Sequence, residues 1–116
     1  MAGTSATWTR DELILALELY LTSGRKVLEV KRPETIALAS ALNRLRTVDP
    51  GVSSTHLRTP GSVNAKLANF RALDPTTPST GWVNGNKLDL AIWQEFADNS
   101  DALTRAVQQI RSSINK

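Results

Sequence analysis

The sequence predicts an all-α domain, a compact bundle of about five helices, and three observations carry that expectation. Apolar residues recur at spacings of three and four rather than two. Helix-start signals, a hydroxyl or a proline ahead of acidic or apolar residues, stand at Thr9, Pro33, Thr59 and Ser100. No stretch alternates strongly enough to read as a strand, and the nearest, Arg25 to Arg32, reads as a connector.

Residues 1–7 have neither a basic opening nor an apolar stretch, so they read as a flexible tail rather than a secretory signal, leaving 8–116 as one helical domain. Thr9 with Arg10, Asp11 and Glu12 supplies an N-cap hydroxyl, first-turn acids and a capping-box glutamate. From Leu13 to Leu21 only Glu18 is charged, which places this first helix centrally, and Gly24 stops it. Pro33 and Glu34 open a second helix, with Ile36, Ala39, Leu42 and Leu45 expected to face the core and Pro50-Gly51 to end it. Thr59 and Pro60 open a third that runs to about Leu73, closed by Asp74-Pro75. A loop of turn formers follows, with Trp82 its one large residue. The fourth helix, near Lys87 to Ala97, presents Leu88, Ile92, Trp93 and Phe96. A fifth follows a Ser100 cap and carries Leu103, Val107, Ile110 and Ile114 as one stripe.

Composition narrows the function classes. With 116 residues, 41% apolar and 22% charged, the chain fits one globular domain. The absence of cysteine excludes disulfide frameworks, thiol nucleophiles and most structural zinc sites, and fits a cytoplasmic location. The longest apolar run, Leu13 to Leu17, is far short of the roughly 20 residues a spanning helix needs, so no membrane segment is expected. A net charge of +3 and a pI near 9.7 favour an anionic partner without choosing one. His56 is the single histidine, too few for a metal centre of the HNH or zincin kind, and neither a nucleophile elbow nor a nucleotide-type Gly-rich loop is present. The sequence therefore offers no catalytic residue, metal site or cofactor; Asp74, Asp89 and Glu95 read as caps and solvated helix faces.

The third helix is the most informative segment. At 100° per residue, Val63, Leu67 and Phe70 fall on one side and face the core. The opposite side collects Gly61, Ala65, Ala68 and Ala72, with Ser62 and Asn69 along one edge and Asn64 and Arg71 along the other. Such a strip permits close approach, either to another helix or to a DNA major groove, where rim residues reach base edges and alanine methyls touch a 5-methyl group. Thr59 and the amides after it form an anion site that Arg58 reinforces. Lys66 either runs along apolar surface or holds a phosphate, and Asn69 either reads a base or caps a neighbouring element.

The ordered set Trp8-Thr9-Arg10-Asp11-Glu12-Leu13, Arg58-Thr59-Pro60-Gly61-Ser62-Val63, Lys66-Leu67-Ala68-Asn69-Phe70 and Leu73-Asp74-Pro75 resembles the N-terminal domain of bacterial HNH-type, modification-dependent restriction endonucleases. The similarity continues through Gly81, Lys87, Asp89 and Ile92-Trp93-Gln94-Glu95-Phe96, and so spans Trp8 to Phe96. The resemblance implies a specificity module that reads duplex DNA, in some relatives modified cytosine, while a separate nuclease domain or subunit cuts. On that reading the third helix is a recognition helix of helix-turn-helix kind. The DNA-binding residues are then Arg58, Thr59, Ser62, Asn64, Lys66, Asn69 and Arg71, with weaker phosphate contacts from Arg25, Lys26, Lys31 and Arg32. Trp8 and Trp93 read as structural, and Trp82 is the aromatic best placed to meet an extruded base. A second reading is a protein-interaction or adaptor module, such as a phage or defence accessory subunit, that uses the stripe of the last helix to pair with another copy or a nuclease partner.

Overall fold

A hydroxyl that caps its own helix needs the chain to be extended just before it. Thr9 meets this condition: its hydroxyl accepts the Glu12 amide at 3.3 Å, while the Glu12 carboxylate accepts the Thr9 amide at 3.0 Å. This capping box opens α1 (Arg10–Thr22). It is followed by α2 (Pro33–Val48), α3 (Pro60–Leu73), α4 (Lys87–Phe96) and α5 (Ser100–Ile114). The computed structural model describes residues 8–48, 58–76 and 87–114, and among them there is no strand. The expected tail 1–7, the Pro50-Gly51 terminus, His56 and the loop with Trp82 lie outside the described residues.

The all-α bundle follows from α1. Leu13 to Leu17 and Tyr20 are all buried, so this helix is apolar on too many sides to serve one neighbour, and it contacts all four others. Its stop is a pair of left-handed residues, Gly24 at φ 80° and Arg25 at φ 60°, with the Arg25 amide donating to the Tyr20 carbonyl at 2.9 Å.

Two sequence expectations need correction. Ile36 is 50% exposed, and Thr35, Leu38, Leu42 and Leu45 are the residues that α2 buries together with Ala39 and Ala41. The reason is geometric. Three successive steps of three residues carry a helix roughly half a turn round, so Ile36 and Leu45 cannot share a face, whereas spacings of three, four and three hold one. The α5 cap is Asn99 rather than Ser100: its side chain accepts the Ala102 amide at 3.3 Å and its carbonyl accepts the Leu103 amide at 3.0 Å. The α5 stripe is used internally, because Leu103, Val107 and Ile110 are buried and Ile114 packs against the same core where α5 meets α1 and α2.

The ends of α1 and α3 are tied through one carboxylate. Asp74, the C-cap of α3, accepts the Tyr20 hydroxyl at 2.8 Å, the Arg25 guanidinium at 2.9 Å, and the amide and hydroxyl of Thr76 at 2.8 and 2.7 Å. Burial pushes its pKa upward, but these donors outweigh burial and hold it at about 2. Burial first, then the hydrogen bond to Asp74, raises the Tyr20 phenol above its ordinary value. The left-handed Arg25 costs about 1 kcal/mol or more, which its ion pair and its place over the Trp93 ring, 5.9 Å away, offset.

A depressed carboxylate stabilises the fold above its unfolded pKa of about 4, and that contribution is lost as the pH falls toward the folded value of about 2. Urea midpoints measured from pH 5 down to pH 2 should therefore decline, with Asp74 responsible for about 2 kcal/mol of the loss. Asp74→Asn should lower stability at pH 7 and flatten that decline. A variant with the parent's profile would show that Asp74 is not its source.

Candidate nucleic-acid interface

The N-terminus of α3 is fixed by a second capping box, in which the Thr59 hydroxyl accepts the Ser62 amide at 3.1 Å and the Ser62 hydroxyl accepts the Thr59 amide at 2.9 Å. From that start the three faces fall where the helical wheel puts them. Val63, Leu67 and Phe70 are fully buried. Gly61, Ala65 and Ala68 are exposed and Ala72 is half-buried, so no other helix covers the small-residue strip among the described residues. Along its rims Ser62, Asn64 and Asn69 are half-buried and Arg71 is exposed.

Arg58 and Lys66, expected on the DNA side, point inward. Arg58 is only 6% exposed: its guanidinium donates to both Glu12 oxygens at 3.0 and 2.9 Å and lies 4.5 Å from the centre of the Trp8 ring. Its backbone is held as well, with the Asn43 side chain accepting the Arg58 amide at 2.6 Å and donating to its carbonyl at 2.9 Å. Lys66 is 7% exposed, bonds both Asp89 oxygens at 3.1 and 2.9 Å, and sits 5.4 Å from the same indole. Asp89 is fully buried, so it is not the solvated acid that the sequence suggested. A cation enters a protein interior when a matching anion and an aromatic face replace its water; Glu12 serves Arg58, Asp89 serves Lys66, and Trp8 offers its ring to both.

Asn64 also turns from the groove side. Its amide donates to the Leu28 carbonyl at 2.8 Å, which brings the connector between α1 and α2 alongside α3. Since Arg25 is bound to Asp74 at the C-terminal end of α3 and Leu28 to Asn64 nearer its start, the connector runs antiparallel to the helix. Lys26, Lys31 and Arg32 are exposed in or beside this segment; Arg32 lies 3.2 Å from Glu34, a surface pair of little energetic weight. Arg25, held by Asp74 and one-third exposed, is the least available of the four basic residues expected here. On the other flank, Lys66 and Asp89 join α3 to α4.

Trp8 is half-buried and packed against the core, and Trp93 is buried, 6.1 Å from Tyr20 and 6.4 Å from Phe70 between ring centres. Trp82 lies outside the described residues. Glu95 is exposed and binds Arg10 through two hydrogen bonds of 2.7 and 2.6 Å. Among the described residues, no three His, Asp or Glu side chains come together as a metal site would require, and no helix is long and apolar enough to cross a membrane. Asn43 was not singled out by sequence, because nothing local marks a half-buried asparagine that clasps a backbone fifteen positions away. Glu12 carried a signal: it opens a helix buried on nearly every side, so it needed an internal cation. No protein-family model, curated protein or solved structure matches the chain.

Removing one member of a buried ion pair leaves its partner charged and unmatched, which costs about 3–5 kcal/mol. Arg58→Ala should therefore lower the chemical-denaturation free energy by roughly that amount, and Glu12→Leu combined with Arg58→Met should recover most of it. Equal stability of Arg58→Ala and the parent would contradict the buried pair.

Proposed function

We propose that this chain is a duplex-DNA-binding domain of a restriction-type system, acting in the cytoplasm, that presents α3 to the major groove and its basic connector to the adjoining phosphates. The observation that carries the reading is the strip of exposed Gly61, Ala65 and Ala68 with half-buried Ala72, beside which Asn64 holds the connector that bears exposed Lys26 and leads to exposed Lys31 and Arg32. A bare strip lets the helix axis approach the bases, and the neighbouring cations replace condensed counterions. Arg71 and Asn69 on the rims, with Thr59 and Ser62 at the helix start, are the polar groups nearest such a ligand. The alanine methyls suit thymine or a 5-methylated cytosine, so a modified base falls within this proposal. Arg58 and Lys66, buried on Glu12 and Asp89, serve the interface by holding α3 rather than by touching DNA. The role is binding alone, and cleavage would come from a nuclease domain or subunit outside this chain. The resemblance to restriction-endonuclease readers supports this reading. The adaptor alternative relied on the α5 stripe, which the core occupies.

Fluorescence anisotropy with labelled duplexes, unmodified, methylated and hydroxymethylated, tests the proposal. A Lys26→Ala/Lys31→Ala/Arg32→Ala variant should bind at least about tenfold more weakly at physiological salt, with a log K against log salt slope shallower by about 2 to 3. Ala65→Glu should abolish binding by placing a carboxylate in the strip. If the triple variant keeps the parent's affinity and slope, the connector is not the phosphate-binding element.

A further inference from the structure

The connector carries exposed Lys26 and leads to exposed Lys31 and Arg32, yet its path is set by other groups, the Arg25 guanidinium and the Leu28 carbonyl. Residues 26–29 form no helix or strand, and a free segment of this kind samples many conformations. Here residues 25–28 are fixed at both ends against α3, with Lys26 between the two ties and Lys31 and Arg32 following the second. At one end the guanidinium of Arg25 meets Asp74, whose side chain is fully buried, and the left-handed pair Gly24 and Arg25 turns the chain back along α3. At the other, the Leu28 carbonyl accepts from Asn64, and Leu28 itself is buried in the core. Asn64 lies on the rim where a base-reading asparagine would be sought, but its amide nitrogen is turned to the Leu28 carbonyl and the side chain is half-buried against the connector.

We infer that Asn64 is a positioning residue: together with the Arg25–Asp74 pair it holds the connector as a preformed rail for the phosphates of one strand, and it does not read bases. This inference rests on the DNA-binding reading above. A preformed rail meets the phosphodiester backbone without first being ordered, so its loss weakens binding while leaving the number of phosphate contacts unchanged. That combination separates Asn64 from the lysines, whose removal changes the contact number itself.

The test is a double-mutant cycle in the full chain, read by anisotropy on two duplexes of unrelated sequence over a salt series. Asn64→Ala, with Asn64→Leu as an uncharged variant closer in size, should weaken binding to both duplexes equally, roughly tenfold, with the salt slope of the parent. In the Lys26→Ala/Lys31→Ala background the same change should cost less than about twofold, because the rail no longer has cations to place. Without DNA, amide exchange at Val27 to Glu29 should accelerate in both Asn64 variants while the α3 amides keep the parent's protection. A loss confined to one duplex would make Asn64 a base reader, and an undiminished loss without the lysines, or unchanged exchange, would equally overturn the inference. A parent chain that binds no duplex overturns the functional reading and the phosphate role together, a result distinct from all of these.

Discussion

Four charged side chains are buried around Trp8, and the need to match each of them governs how the helices can be arranged. Glu12 belongs to α1, Arg58 immediately precedes the Thr59 N-cap of α3, Lys66 lies within α3 and Asp89 within α4. Asn43 adds α2 by clasping the Arg58 backbone. Apolar burial is non-directional and sets how deeply α3 sits, whereas ion pairs of about 2.9 Å set its rotation. Turning α3 by one residue would carry Lys66 away from Asp89 and drive polar rim residues toward the core. The exposed alanine strip is thus the outward consequence of an inward electrostatic demand.

The same arrangement explains why the basic balance is informative although it is small. Glu12 with Arg58 and Lys66 with Asp89 cancel, so the surplus of +3 lies outside these pairs. Part of it sits on exposed Lys26, Lys31 and Arg32, in or beside the connector that Asn64 ties to α3. Charge that looks ordinary when averaged over the chain is therefore unevenly placed, with the interior pairs balanced and the excess on the surface.

Local signals were legible, and distant pairings were not. The Thr9-Glu12 and Thr59-Pro60 starts, the Gly24 stop and the three faces of α3 follow from rules that span four to fifteen residues, and each appears in the structure. The error at Ile36 came from extending a spacing of three without allowing for its drift, and the shift from Ser100 to Asn99 is a one-residue difference at a helix end. The misplacement of Arg58 and Lys66 has another origin. Their partners lie 46 and 23 positions away, so a rule that sends cations outward had no local reason to fail. Likewise the weak alternation of 25–32 correctly indicated a connector, but its course beside α3 depends on Asn64 and Asp74, which no pattern within the segment reveals.

The clasp between Asn43 and Arg58 separates the placement of α3 from the length of the chain that joins it to α2. Two hydrogen bonds join Asn43 in α2 to the Arg58 backbone fifteen positions on, so the start of α3 is oriented directly by α2. Closure entropy grows only logarithmically, and doubling such a loop costs only about 0.6 kcal/mol. Insertions after Val48 and before Arg58 are consequently expected to leave the placement of α3 unchanged. New sequence could be added beside α3, by natural divergence or by grafting, while the geometry of the helix itself is inherited unchanged.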